Sequence, residues 1–348
     1  MCPRFDSWRY HSSFHYGPRE WLRSVAGFFY VYVDMKKVVY TALLSFVALS
    51  VKAQDSRTAF NFLRLPVSAH VVALGGDNIS IHDDDATLLF HNPALINNVS
   101  DRSLSLNMMT YMQGSVTASA SYQRYVGERA TWAVQGRFVN YGEMKETTYD
   151  NQQTGTFGAK DIAVGGSFAY DLTQRISGGI TAKIITSYIG HYNSLAAAVD
   201  LGLNYFDPDR QWSISAVARN LGGQLTAYED DFERMPLDLQ LGVSKRLIGS
   251  PLRFSATLVR LNDWHEGIGH HIVVGADLML GDQFYLAAGY NAMRASEMKI
   301  ADADGKSAHG AALSLGGGMS LQRLKLHIAY AKLHISSPSF VVNFSYNL

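Results

Sequence analysis

Cysteine is nearly missing from this 348-residue chain: Cys2 is the only one. A chain that matures beyond that residue can form no disulfide, which suits the cell envelope and the cytosol alike. Neither charge sign is in excess, with 30 Lys plus Arg against 30 Asp plus Glu, so nothing in bulk asks for nucleic acid. Proline is scarce at 8 residues, while 30 glycines and 12% aromatics suit a strand-rich protein. An apolar run of about 20 residues, the length a spanning helix needs, is also missing.

What is present begins with a secretion signal. Met35-Lys36-Lys37 starts a basic region, Val38 to Leu49 is apolar, and Val51-Lys52-Ala53 reads as a small-residue cleavage site before Gln54. Residues 35–53 are therefore expected to be a Sec signal peptide. Residues 1–34 are expected to be an upstream mis-start, with a cytoplasmic extension using Ser24 to Val33 as the rival. No cysteine follows the apolar region, so lipidation is not expected. Removal of residues 1–53 takes away seven basic and three acidic residues, leaving 23 against 27 and a net charge of about −4.

From Ser103 onward, apolar and polar residues alternate in runs of about ten, the spacing of strands that cross a bilayer at a tilt. Leu104, Leu106 and Met108 oppose Ser103, Ser105 and Asn107; Ile272, Val274, Ala276 and Leu278 oppose His271 and Asp277. Fourteen such runs predict an all-β fold, a 14-stranded antiparallel transmembrane barrel over residues 100–348. A small interior cannot hold the apolar side chains of 14 strands, so that face must meet lipid and make outer-membrane lipid a partner. Arg137, Lys183, Asp200 and Asp277 then point into the lumen, where water or a plug satisfies them.

The connections alternate in length. Even ones such as Gly127-Glu128, Thr173-Gln174 and Gly249-Ser250 are short; the long ones, 142–159, 220–236 and 291–307, are all odd. That parity is expected of an outer-membrane barrel with its long loops extracellular. Tyr111, Tyr122, Trp132, Tyr141, Tyr170, Tyr188, Tyr205, Trp212, Tyr290 and Tyr330 at strand ends predict aromatic girdles.

Residues 54–99 have no such period. Gly75-Gly76, the run Asp83-Asp84-Asp85, Leu88-Leu89-Phe90 and the turn Asn92-Pro93-Ala94 make a loop-like element, expected to plug the lumen. This order, ALGG, DDDA, LxxNPA, resembles the N-terminal plug of the long-chain fatty acid transporter superfamily of outer-membrane barrels. Within it the chain is most similar to the PorV/PorQ family of the type IX secretion system. The final run, 340–348, resembles the C-terminal signal of outer-membrane barrels, though it ends in Leu rather than Phe.

That resemblance implies a non-enzymatic component of the type IX secretion system. Such a barrel anchors a surface-exposed protein partner, PorZ-like, alongside PorU and PorV, for export or attachment of secreted proteins. The wider superfamily implies the alternative, a passive carrier of hydrophobic small molecules. An outer-membrane enzyme is a third class for which no motif speaks, although a Ser/His pair assembled by the barrel remains open.

Candidate sites follow from the residues. Leu225, Tyr228, Phe232 and Met235 lie among Glu229, Asp230, Asp231 and Glu233, an apolar set in an acidic rim that reads as a protein-binding patch or as a loop folding over its own barrel mouth. Asp83-Asp84-Asp85 lacks the spacing of a calcium loop and reads as capping carboxylates of a polar plug segment. Asp302-Ala303-Asp304-Gly305 has its glycine too early, and His265, Glu266, His270 and His271 lack the second His of a zinc-protease motif, since Gly269 stands there. No cofactor or metal is expected. Gly316-Gly317-Gly318 lacks a phosphate loop's Lys and marks a kink or a close approach of the plug.

Overall fold

A computed structural model describes residues 58–112, 114–150, 152–263, 267–281, 283–298, 312–335 and 337–348. The signal peptide, the upstream 34 residues, His265, Glu266 and the 302–305 loop lie outside them.

Fourteen antiparallel strands close into a barrel. They are β1 (Ser103–Tyr111), β2 (Ser115–Val126), β3 (Ala130–Thr147), β4 (Gln153–Asp171), β5 (Ile176–Ile189), β6 (Tyr192–Asp207) and β7 (Trp212–Thr226), then β8 (Asp238–Arg246), β9 (Leu252–Leu258), β10 (Ile272–Leu280), β11 (Phe284–Asn291), β12 (Leu313–Ser320), β13 (Leu324–Ala331) and β14 (Ser339–Asn347). Each pairs with its sequence neighbours, and β1 against β14, with Ser103 opposite Asn347, closes the ring. Closure leaves no unpaired edge.

The alternation resolves as the sequence requires. Ser103, Ser105 and Asn107 are buried toward the lumen, while Leu106 and Met108 are exposed on the outer wall. Around the ring, Val164, Ile184, Leu203, Ile214, Leu286, Leu315 and Ile328 complete a bare apolar belt, which only a lipid environment accommodates over so many strands. Among the described residues no helix is long and apolar enough to cross a membrane; the strands do the crossing.

Two features differ from the sequence reading. The connection expected over 142–159 is mostly strand, because β3 and β4 extend their pairing through Glu143↔Gly158 to Thr147↔Gln153 beyond the apolar belt. There both faces meet water, so the chain stays a hairpin without an apolar period. Of the expected girdle, Tyr170, Tyr188, Trp212, Tyr290 and Tyr330 face outward. Tyr111 and Tyr141 instead pack against buried clusters of the plug, and the Tyr141 hydroxyl donates to Asp161 Oδ2 at 2.6 Å.

Residues 58–99 fill the lumen. The segment starts at the long-loop end, where Thr58 bridges to Arg234, and finishes at the short-turn end, where Asn97 Nδ2 donates to Asp171 Oδ1 at 2.7 Å. A short helix α1 (Ala69–Ala73) is capped by Ser68, and two 3-10 turns, Ala86–Phe90 and Pro93–Asn98, are capped by Asp85 and Asn92. Ser, Asp and Asn suit these positions because a short side-chain oxygen accepts an otherwise unpaired N–H. Val71, Val72, Leu74, Ile79, Ile81, Leu88, Leu95 and Ile96 are fully buried, so the apolar core of this molecule is the plug.

Glycines of the wall let the plug lie against backbone. A Cβ on Gly289 of β11 would land on the backbone of Leu74 and Gly75. One on Gly316 of β12 would sit 2.7 Å from the Ala73 methyl, so this glycine marks a close approach of the plug, while Gly318 faces Tyr285 and His327 and Gly317 faces the outer wall.

Candidate functional site

The plug is tied to the wall by a buried ionic network. His70 on α1 is hydrogen-bonded to Asp277 of β10, Nε2 to Oδ1 at 2.8 Å. Arg253 of β9 donates from Nε to Asp277 Oδ2 at 2.7 Å and through both terminal nitrogens to Asp83, at 2.7 and 2.8 Å. The forked guanidinium suits this task because it matches a carboxylate bidentately. The His70 ring stacks on Tyr285 at 4.0 Å between centroids, and the Tyr285 hydroxyl meets His327 Nδ1 at 2.9 Å.

The three consecutive aspartates part company. Asp83 goes to Arg253; Asp84 accepts from Ser100 and pairs with Lys325 at 2.6 Å; Asp85 caps the turn at Thr87 and accepts from the Ser68 hydroxyl at 3.2 Å. Such a distribution serves capping and anchoring rather than a shared cation. Among the described residues no group of three or more His, Cys, Asp or Glu is arranged to hold a metal. Asn92 accepts from the Ala94 N–H at 3.0 Å and donates to the Ile79 carbonyl at 3.0 Å, which fixes the Asn92-Pro93-Ala94 turn against the rest of the plug.

Burial would raise the Asp83 carboxyl, but the charge and hydrogen bonds of Arg253 outweigh it, with His70 and His82 adding to them, and hold it well below the usual carboxylate range. His91 is held well below its ordinary value by burial, with the charges of Arg219 and Arg137 adding to it. Its Nε2 accepts the backbone N–H groups of Val67 and Ser68, both at 3.3 Å, so the neutral ring carries its proton on Nδ1. The nitrogen near Ser68 thus takes the backbone N–H and not the hydroxyl.

A pH dependence follows with a definite sign. A depressed histidine stabilises the native state fully above its unfolded value of about 6.5, and that contribution is lost as pH falls below it. The depressed Asp83 carboxyl holds until below about pH 4. Plug protection in hydrogen exchange should therefore weaken first as pH falls below about 6.5, and His91→Gln should shrink that first step, to which buried His82 also contributes, while leaving the second. A plug equally protected at pH 8 and pH 5 would contradict the assignment.

At the long-loop mouth a charged vestibule of about 640 Å³ is lined by Arg64, Asp77, Asp238, Arg260, Arg294 and Glu297. On the outer wall an apolar groove of about 730 Å³ runs over β11 to β13, lined by Phe284, Leu286, Leu315, Ile328 and Tyr330 around Gly316-Gly317-Gly318. At Gly317 the missing side chain leaves a dent between Leu286 and Ile328, its register partners on either side.

The loop patch divides. Leu225 and Phe232 are 62% and 65% exposed, among exposed Glu229, Asp230 and Asp231. Met235 is buried with Phe60 and Phe62 of the plug, and the half-buried Tyr228 ring lies 6.3 Å from Phe60. Two of the four expected partner residues thus hold the start of the plug. The network residues His70, Arg253 and Tyr285 were not anticipated as a site. Their one sequence signal is a histidine standing in the apolar run Ala69–Ala73, and the partner of such a residue, some 200 positions away, leaves no local trace.

No family model and no curated protein matches the chain. Solved structures do match in fold. The toluene transporter TodX of Pseudomonas putida is 13% identical with a TM-score of 0.53, covering 82% of this chain and 98% of its own. A FadL homologue of Pseudomonas aeruginosa is 12% identical with a TM-score of 0.52, covering 81% and 98%. The monoaromatic hydrocarbon channel CymD is 13% identical with a TM-score of 0.50, covering 83% and 98%. This chain shares with them the fold of a closed outer-membrane β-barrel.

Proposed function

We propose that the barrel is a passive outer-membrane carrier of hydrophobic small molecules, with its long loops outside the cell. The observation that carries this reading is the apolar groove beside Gly316-Gly317-Gly318, where at Gly316 strand backbone alone separates the lipid face from Ala73 of the plug. A hydrophobic solute that reaches the lumen gains by leaving sideways into lipid rather than through water, and a wall without side chains is where it meets least obstruction. The fold shared with TodX, CymD and the FadL homologue supports the same reading.

A second reading, an anchor for a surface protein of the type IX secretion attachment complex, draws on one observation: Leu225 and Phe232 stand exposed in an acidic rim at the long-loop end. The two are separated by paired variants. Leu315→Trp with Ile328→Trp fills the groove from the lipid side, and we expect it to cut uptake of toluene and of a long-chain fatty acid on the order of fivefold in cells with normal barrel levels. Leu225→Ser with Phe232→Ser should leave uptake unchanged. Unchanged uptake in the groove variant, together with lost attachment of secreted proteins in the loop variant, would favour the anchor.

A further inference from the structure

Behind the plug, on the opposite side of the lumen from the groove, two arginines are buried with no carboxylate hydrogen-bonded to them among the described residues. Arg137 of β3 and Arg219 of β7 are 7% and 4% exposed. Both line a cavity of about 40 Å³, with Gln135, Lys183, Asp200 and the plug residues Leu63 and Phe90. Arg219 donates from Nη2 to the Leu63 carbonyl at 2.9 Å, and the Arg137 guanidinium lies 5.7 Å from the Phe62 ring centre. Nε and Nη2 of Arg137 and Nε of Arg219 are buried donors with no acceptor among the described residues.

Nearby carboxylates are committed elsewhere. Asp200 takes Lys183 through both oxygens, at 2.8 and 2.7 Å, and also the Asn220 N–H. Asp161 takes the Tyr141 hydroxyl at 2.6 Å. Asp238, the register partner of Arg219 on β8, takes Gln240 at 2.6 Å and the Arg260 N–H at 2.9 Å. Asp200 therefore pairs with Lys183, and among the described residues no carboxylate hydrogen-bonds either guanidinium, which leaves N–H groups of both arginines open toward this cavity.

Buried guanidinium N–H groups without an acceptor are costly, and an anion accepts them more strongly than a neutral water does. We propose that the cavity between Arg137 and Arg219 binds one small inorganic anion of about chloride size. Its volume approximates one or two waters, at roughly 30 Å³ of liquid each, and excludes an alkyl chain. Gln135 fits the assignment, because its Oε1 has no donor as placed and the amide, turned over, offers N–H to the same space. His91 senses the same pair of charges from the plug side, so the anion sits where it secures the plug to β3 and β7.

The test uses the full chain purified in detergent, in chloride, bromide or gluconate at equal pH and ionic strength. Gluconate is too bulky for the cavity. In bromide, anomalous diffraction should place a peak between Arg137 and Arg219. The apparent Tm should rise by roughly 2–4 °C for each tenfold rise in chloride at constant ionic strength, and stay level in gluconate. Arg137→Gln and Arg219→Gln should each abolish that chloride dependence. Bromide crystals with no peak at this position, or equal Tm values in chloride and gluconate, would overturn the proposal and leave water as the occupant.

Discussion

Replacing Arg253 with Met is expected to release the plug while leaving the barrel closed. The guanidinium holds Asp83 of the plug and Asp277 of the wall at once, and Asp277 is only 1% exposed. Removing one partner of such a buried set strands the other charges, at a cost of about 3–5 kcal/mol, far more than an exposed ion pair contributes. The loss falls on the contact between plug and wall, since the strand ladders need no side chain of Arg253. Hydrogen exchange should show residues 66–90 losing protection on the order of a hundredfold or more, while β1 to β7 exchange as before. Asp277→Asn in the same chain should recover part of the loss by removing the stranded carboxylate. Unchanged plug protection in Arg253→Met would mean that packing alone holds the plug.

Placing a charge on the outer wall should be comparably severe. Leu241 near the middle of β8 is 49% exposed and Val274 of β10 is 42% exposed, both in the apolar belt. Leu241→Arg or Val274→Arg should cost about 2–4 kcal/mol and impair assembly, while Leu241→Phe should assemble normally. Heat-modifiable gel mobility after insertion into lipid reads the folded fraction. From alternation alone Gln240→Arg is expected to be mild, as a change inside a watery lumen. The structure corrects that expectation: Gln240 is 1% exposed, bonded to Asp238, in a lumen that the plug fills. An arginine there displaces the plug, so damage from Gln240→Arg reports a packed lumen rather than a soluble barrel. The control that isolates lipid is therefore Leu241→Phe.

The wall was readable because lipid on one side and plug on the other impose a period of two on every strand. Where those two environments stop, so does the pattern. Met144 is the one apolar residue among Glu143, Lys145, Glu146 and Thr147, too little for a period, yet the stretch pairs with β4 through backbone hydrogen bonds that sequence composition does not record. Gly316-Gly317-Gly318 was readable for a different reason, since three residues without side chains in a strand imply something lying close. The tie between Asp83 and Arg253 was not, because a contact 170 residues apart is set by closure of the barrel and not by local order. The same holds for Tyr228 and Met235, which read as a surface patch until the plug's Phe60 and Phe62 are seen beneath them.

The proposed carrier function needs the plug to move, because residues 58–99 fill the lumen through which a solute would pass. A Cβ on Gly242 of β8 would lie 3.4 Å from the Ser80 Cβ, close to the spacing of about 3.5–4.5 Å across a disulfide, and 2.7 Å from Ile79 Cγ1, a clash removed by carrying Ile79→Ala in the locked and unlocked chains alike. Ser80→Cys with Gly242→Cys therefore locks plug to wall, and the one native cysteine, Cys2, precedes the expected cleavage site. The measurement is uptake of toluene and of a long-chain fatty acid by cells carrying the double variant, oxidised and then reduced. Uptake that falls to background on oxidation and returns on reduction is the expected result. Equal uptake in the locked and unlocked states would contradict it.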